Sequence, residues 1–302
     1  MTATVLRPSR VIVLGHSGFI GQRLIAHLRA TTPELPVVGC SRPDLDLSIT
    51  AEAERLASLF DAGSVVVFLA AVKRQSGDTV HSFMHNSAII ETVVTALARQ
   101  PAARLIYFSS AAIYGEDVAH PIINEATPLQ PRSYYGLSKF TGEWVLRRHC
   151  PEGGPTSLLC VRPATIYGPT EPGLPYGPTG FLRQALANRP IVLWGDGSEL
   201  REFLYVEDVV ELLGRLIQEP VAGVLNLASG TSWRFTDVLD AVATTIGQPP
   251  MVDSRQRSKD KVDNRFDASR LRGLFPDFRF TSLSDGIART CRDLLPLAAP
   301  LA

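Results

Sequence analysis

The chain has 302 residues, 45% of them hydrophobic, and its 30 Lys and Arg are balanced by 30 Asp and Glu, which is enough apolar material for a full core and a second lobe. That balance leaves no basic surplus to make nucleic acid or a membrane surface the main partner. No apolar run approaches a membrane span, the first ten residues lack a signal-peptide core, and Cys40, Cys150, Cys160 and Cys291 are scattered without metal-ligand spacing, so a cytoplasmic protein with buried thiols and no metal is expected.

The first element, an apolar β-branched strand over 11–14, runs into Gly15-His16-Ser17-Gly18-Phe19-Ile20-Gly21 and then a helical stretch over 21–30. At such a junction backbone N–H groups and the positive helix end can face an anion, and glycines let a pyrophosphate approach the main chain. The same pattern also suits a glycine-punctuated turn with no ligand. Further strands are predicted over 37–40, 65–70, 105–109 and 157–162, with helices over 51–60, 79–99 and 134–148 between them. This alternation predicts an α/β fold, a doubly wound parallel sheet whose ligands lie at the carboxyl ends of the strands.

From Tyr167 the texture changes. Residues 168–180, rich in Pro and Gly, read as a surface loop, followed by a helix over 181–188, a strand over 191–194, helices over 206–218 and 235–246, and a strand over 224–227. The division expected is a dinucleotide-binding region over 1–168, with some later segments returning to it, and a smaller substrate-binding lobe over 169–302. The tail 294–302 reads as a poorly ordered end.

Two stretches carry chemistry. In Ser133-Tyr134-Tyr135-Gly136-Leu137-Ser138-Lys139, Tyr135 and Lys139 are four apart and share a helix face, so an ammonium beside the phenol is expected to lower its pKa from about 10 and suit it to acid/base work. Tyr134 has only Ser138 at that spacing, and the pair also fits an ordinary amphipathic helix. In Tyr107-Phe108-Ser109-Ser110-Ala111-Ala112-Ile113-Tyr114-Gly115, a strand ends in two serines where a hydroxyl can meet a substrate oxygen.

Together with Arg162-Pro163-Ala164-Thr165-Ile166-Tyr167-Gly168-Pro169, Gly195-Asp196-Gly197, Arg201-Glu202-Phe203 and Asn226-Leu227-Ala228-Ser229-Gly230, these stretches resemble the extended short-chain dehydrogenase/reductase family of epimerases, dehydratases and ketoreductases acting on nucleotide sugars, over about 10–286. The resemblance implies a Rossmann-like fold. It implies that Ser110 (preferred to Ser109), Tyr135 and Lys139 are catalytic, and that Gly15, Ser17, Gly18, Phe19, Ile20 and Gly21 form the cofactor turn. Asp46 would meet adenine, Leu69, Ala70 and Ala71 would pass beneath the cofactor, Pro163, Tyr135 and Lys139 would also touch it, and Asn86 resembles a helix Asn of the family.

For substrate, the resemblance implies contacts from Val72, Lys73, Ser110, Ala111 and Thr165, and a diphosphate grip by Arg201 and Arg257. The run 255–261 also reads as solvated charge, and Thr165 and Ser258-Lys259 depart from the family's usual Asn and Pro-Gly. At the end of the second strand Ser41 and Arg42 replace the acidic residue of NAD-preferring members, so NADP (NADPH) is expected, with NAD possible. The expected reaction is NADPH-dependent reduction of a nucleotide-linked 4-keto-6-deoxyhexose, with Tyr135 as proton donor. The alternatives are an NAD-dependent 4-epimerase and a non-catalytic dinucleotide-binding partner protein. Ala111-Ala112 stand where dehydratases carry an Asp-Glu pair. A homodimer through the helices over 79–99 and 134–148 is implied as well.

Overall fold

The computed structural model describes residues 8–117, 119–172, 176–257 and 260–298, with the side chains of 296–298 left out. Its first half is β1 (Arg10–Leu14), α1 (Phe19–Thr31), β2 (Val37–Cys40), α2 (Ala53–Ala57), β3 (Ser64–Phe68), α3 (Val80–Arg99), β4 (Arg104–Phe108), α4 (Tyr134–His149) and β5 (Ser157–Pro163). The second half is β6 (Thr165–Tyr167), α5 (Gly177–Leu186), β7 (Ile191–Trp194), β8 (Leu200–Arg201), β9 (Phe203–Tyr205), α6 (Val206–Gln218), β10 (Gly223–Leu227), β11 (Trp233–Arg234), α7 (Phe235–Ile246), β12 (Val252–Arg255), α8 (Ser269–Leu274) and α9 (Leu283–Ala298).

The main sheet has the order β10-β5-β4-β3-β1-β2, and the pairs β1–β2, β1–β3, β3–β4 and β4–β5 are parallel. Alternate residues explain why it is covered on both faces. Ile12, Leu14, Val66, Phe68, Leu105 and Tyr107 share one core with Leu56 of α2, Ile89, Ile90, Val93 and Leu97 of α3, and Leu146 of α4. Their neighbours Val11, Val13, Val65, Val67, Ile106 and Leu159 are also buried, so the strands read as near-continuous apolar runs.

The chain forms two compact units. One comprises Met1–Glu116, Pro128–Pro163 and Val210–Leu225, and the other Asp117–Thr127, Ala164–Val209 and Asn226–Ala302. The second unit contains the parallel pairs β6–β9 and β7–β12 and the antiparallel pair β8–β11.

Several element boundaries differ from the sequence expectation, each for a local reason. The strand expected over 65–70 ends at Phe68: Leu69 N–H donates to Leu14 O, and the chain then turns against Gly15. The helix expected over 51–60 is α2 alone, preceded by a 3-10 turn at Thr50–Glu52 and tightened at its end by Leu59 and Phe60 N–H bonds to residues three back. The expected surface loop 168–180 is interrupted early, because α5 starts at Gly177 with Pro178 in its first turn, and Pro178, Thr179 and Gly180 are buried. Residues 173–175 of that loop lie outside the described residues.

The tail expected to be poorly ordered is helical as far as Ala298, because Ile287, Cys291 and Leu294 are buried on one face of α9; 299–302 lie outside the described residues. The charged run 255–261 is likewise placed at both ends, with Arg255 paired to Trp194 across β12–β7 and Lys261 bridged to Asp263 at 3.4 Å, while Ser258 and Lys259 lie outside the described residues. All four cysteines are buried, free thiols. No helix among the described residues is long and apolar enough to cross a membrane.

Candidate active site

In the first unit, three strand ends and one helix start close together, and glycine permits it. Gly15 has φ +87°, and a Cβ there would lie 2.9 Å from the Ala70 N and Cα. A Cβ on Gly21 would strike Gly15 O and approach His16 Cα to 2.7 Å, and one on Gly18 would stand 3.2 Å from Gly15 O. Gly15 N–H donates to Cys40 O at 2.8 Å, which ties the turn to the end of β2. Gly18 caps α1 without a side-chain hydrogen bond, so no side chain claims the first-turn N–H groups of Phe19, Ile20 and Gly21. Glycines let the main chain pack this closely, and a bare helix start with free N–H groups fits a pyrophosphate. Ser17 is exposed on the same turn, and its carbonyl accepts from the Gln22 amide at 2.6 Å.

The other expected cofactor residues follow the ends of β2 and β3 or end β5. Ser41 Oγ and His16 Nδ1 are 3.0 Å apart, and the His16 ring lies over Gly39, where a Cβ would be 2.8 Å from Cδ2. Arg42 is exposed. Asp46 accepts from the Ser48 hydroxyl at 2.7 Å and its N–H at 2.9 Å, bonds that hold its carboxyl below the usual range. Leu69, Ala70, Ala71, Val72 and Lys73 are partly exposed after β3. Asn86 pins this stretch: its Oδ1 accepts from Val72 N–H at 2.7 Å, and its Nδ2 donates to Val72 O at 3.0 Å and to Ser138 Oγ at 3.1 Å. Lys73 Nζ stands 5.5 Å from the centre of the Phe19 ring. Pro163 ends β5 and is buried.

At the end of β4 the two serines part ways. Ser109 N–H donates to Val161 O at 2.8 Å and the residue is buried, whereas Ser110 Oγ caps the 3-10 turn Ala111–Tyr114 by accepting from Ala112 N–H at 3.1 Å. Helix α4 is delivered to that turn by its own N-terminus. Ser133 Oγ accepts from Gly136 N–H at 3.0 Å and donates to Glu116 at 2.7 Å, and Tyr135 N–H donates to Asp78 at 3.0 Å. Gly136 allows the close approach, since a Cβ would stand 2.8 Å from Ala112 O. The result brings the Tyr135 phenol near the Ser110 hydroxyl, while Tyr134 stays exposed. Lys139 is buried below, its Nζ donating to Phe108 O at 2.7 Å and lying 5.1 Å from the Tyr107 ring and 5.9 Å from the Tyr135 ring.

The expected lowering of the Tyr135 pKa is corrected by this geometry. Burial pushes the phenol up to about 12, the nearby Ser110 hydroxyl pulling it down and the Glu116 carboxylate pushing it up. Lys139 is brought down to about 7, first by burial and then by the Lys73 ammonium, with Glu143 opposing. Desolvation is the largest cause of both shifts, so the phenol holds its proton.

In the second unit Thr165 opens β6 and its N–H donates to Glu202 O at 3.2 Å. Arg201 and Arg257 converge there: both guanidiniums are hydrogen-bonded to the carboxylate of Glu199, one to each oxygen. Arg257 lies across Gly195, where a Cβ would stand 3.0 Å from its Cγ and Cδ. Sequence reasoning missed Glu199, although its position two before Arg201 in an extended stretch puts both on one side. It also missed the buried ion pair of Arg162 with Glu143 at 2.7 Å, to which Tyr114 and Arg147 add, because the partners are 19 residues apart with no pattern linking them.

Comparison with known proteins bears on the family and the fold. The chain is 29% identical over 318 residues to a UDP-glucose 4-epimerase of Mycolicibacterium smegmatis, covering 93% of this chain and 97% of that protein. It is 28% identical over 256 residues to an ADP-L-glycero-D-manno-heptose-6-epimerase of Nitratidesulfovibrio vulgaris, covering 78% and 77%. The crystal structure of Thermus thermophilus UDP-glucose 4-epimerase in complex with NAD superposes with a TM-score of 0.78 at 26% identity, over 95% of this chain and 99% of that one. Residues 11–228 match the profile of the NAD dependent epimerase/dehydratase family. With the glycine turn, the Tyr135–Lys139 helix and this match over most of its length, the chain belongs to that family of NAD-dependent enzymes of the short-chain dehydrogenase/reductase type.

Proposed function

We propose that the chain interconverts a nucleotide-diphosphate sugar and its C4 epimer, with NAD as a resident carrier. The observation that carries this reading is Tyr135, near the Ser110 hydroxyl and with the Nζ of buried Lys139 5.9 Å from its ring, in the same unit as the glycine turn. The 4-epimerases among its relatives support it over reduction. When bound, the cofactor supplies hydride removal from the sugar carbon and hydride return.

The chain's own residues then handle the proton. Once its own proton has left to solvent, Tyr135 Oη as phenolate takes the proton of the 4-hydroxyl and gives it back as phenol, Ser110 Oγ hydrogen-bonds the same oxygen, and Lys139 is the cation beside the phenolate. Gly15, Ser17, Gly18, Phe19, Ile20 and Gly21 hold the pyrophosphate, Asp46 the adenine side, and Leu69, Ala70, Ala71 and Pro163 border the dinucleotide. In the first unit Val72, Lys73 and Ala111 are assigned to the sugar; in the second, Thr165, Arg201 and Arg257 are assigned to the substrate, the two arginines to its diphosphate. Apolar residues exposed on α3 and α4, namely Val80, Met84, Leu137 and Trp144, support a homodimer.

A second reading, reduction of a 4-keto sugar by NADPH, is favoured by one observation: the end of β2 offers the Ser41 hydroxyl and the exposed Arg42 guanidinium, and no carboxylate at those positions. The two readings separate in one experiment. The protein is incubated with NAD and UDP-glucose and followed by proton NMR of the anomeric signals. Epimerisation gives a second UDP-hexose with no accumulation of NADH. Absence of any epimer, together with stoichiometric NADPH oxidation on adding a 4-keto nucleotide sugar, overturns the epimerase reading in favour of the reductase.

A further inference from the structure

We infer that Glu199 is an internal anion that competes with the substrate's diphosphate for Arg201 and Arg257, and so sets the affinity of this arginine pair. The inference rests on the proposal that these arginines take the diphosphate. Its own support is the way each donor is used. Arg201 Nη1 donates to the Leu200 and Val262 carbonyls, and its Nη2 donates to Glu199 Oε1. One arm of the fork is therefore committed to the main chain, and Glu199 holds the other. Arg257 Nη1 donates to Glu199 Oε2, while its Nη2 is buried without a hydrogen-bond partner.

A phosphate reaching Arg201 Nη2 meets a donor already engaged by a carboxylate, and two anions sharing one guanidinium arm repel each other. Arg257 is different, since it keeps a donor to spare. The diphosphate therefore takes Arg257 first and Arg201 only as Glu199 leaves it. The carboxylate has a second effect before any ligand arrives. Its negative charge lets two guanidiniums stand together in a partly buried place, 13–20% exposed, which would otherwise be unfavourable for like charges. Gly195, with φ +74°, gives the Arg257 stem a flat seat and keeps the head at this carboxylate.

The test uses the full chain, UDP as probe and isothermal titration calorimetry, with thermal unfolding as a control for folding. Glu199→Gln and Glu199→Ala are expected to bind UDP about three- to ten-fold more tightly than the parent, the size of a partly exposed ion pair released to the ligand. Unchanged or weaker binding by folded variants overturns the inference. A crystal structure of the unaltered protein with UDP gives an answer that needs no variant: the Glu199 carboxylate is expected to have left Arg201 Nη2, and UDP bound with Glu199 still bridging both arginines overturns it. Arg257→Ala tests the underlying reading separately. If that variant binds UDP as the parent does, the arginine pair is not the diphosphate site; if it binds weakly while the Glu199 variants show no gain, only the competition is wrong.

Discussion

Tyr135 and Lys139 lie one helical turn apart, yet the phenol is pushed up to about 12 and the ammonium is brought down to about 7, because desolvation disfavours the charged form of each. A pair of this kind holds its proton until a ligand changes the local charge. Glu202 is a second buried group at odds with its ordinary value, and it lies outside the proposed chemistry. Burial raises it to about 7, against hydrogen bonds from Ser229 and Gly230 N–H and the charge of Arg272. The folded protein thus holds this proton between roughly pH 4.5 and 7 where the unfolded chain has lost it, so its contribution is complete below about 4.5 and is lost as pH rises through 7. Glu202→Gln, which cannot ionise, is expected to gain on the parent as pH rises, by on the order of 1–3 kcal/mol between pH 5 and pH 8 in urea unfolding. A stability difference that does not change with pH would show that the carboxylate is ionised throughout.

Among the elements, α4 links most of the site together. Its N-terminus is held by Ser133, Glu116 and Asp78, and Gly136 admits the turn after Ser110. Gly142 leaves room for the Tyr107 hydroxyl, and Glu143 is bound by Arg162 and Arg147. Two of its apolar residues are exposed, Leu137 at 37% and Trp144 at 61%, as are Val80 at 55% and Met84 at 59% on α3. Trp144→Glu is expected to turn the proposed dimer into a monomer in sedimentation equilibrium at micromolar concentration, with α-helical circular dichroism unchanged. A parent protein that is already monomeric contradicts the dimer. The long elements were legible because α3 and the strands of the main sheet carry clear period. The strands β6, β8, β9 and β11, of two or three residues each, are too short to carry one.

For the whole molecule, the tight turn at Gly15 and the placing of Tyr135 and Lys139 on one helix could be read from the sequence because each lies in a short local pattern. Their electrostatics could not, since burial is a property of the assembled sheet and helices: spacing alone put the phenol and ammonium together and predicted the shift in the wrong direction. Arg201 and Arg257 were found by resemblance, but Glu199 between them emerged only when the chain brought β8 and the residue after β12 together. The alternatives over cofactor and reaction come from Ser41 and Arg42, a loop whose sequence differs from the acidic one expected for NAD.

The central claim is that Tyr135 moves the proton of a sugar hydroxyl beside Ser110 and Lys139. It is tested most directly by single-turnover absorbance at the reduced-nicotinamide band, mixing NAD-loaded protein with UDP-glucose, for the parent and Tyr135→Phe, alongside NAD affinity by fluorescence. The account predicts that Tyr135→Phe binds NAD as the parent does but forms and consumes reduced nicotinamide at least about 100-fold more slowly, the size of a lost general acid/base. A Tyr135→Phe protein that turns over at the parent's rate would contradict it.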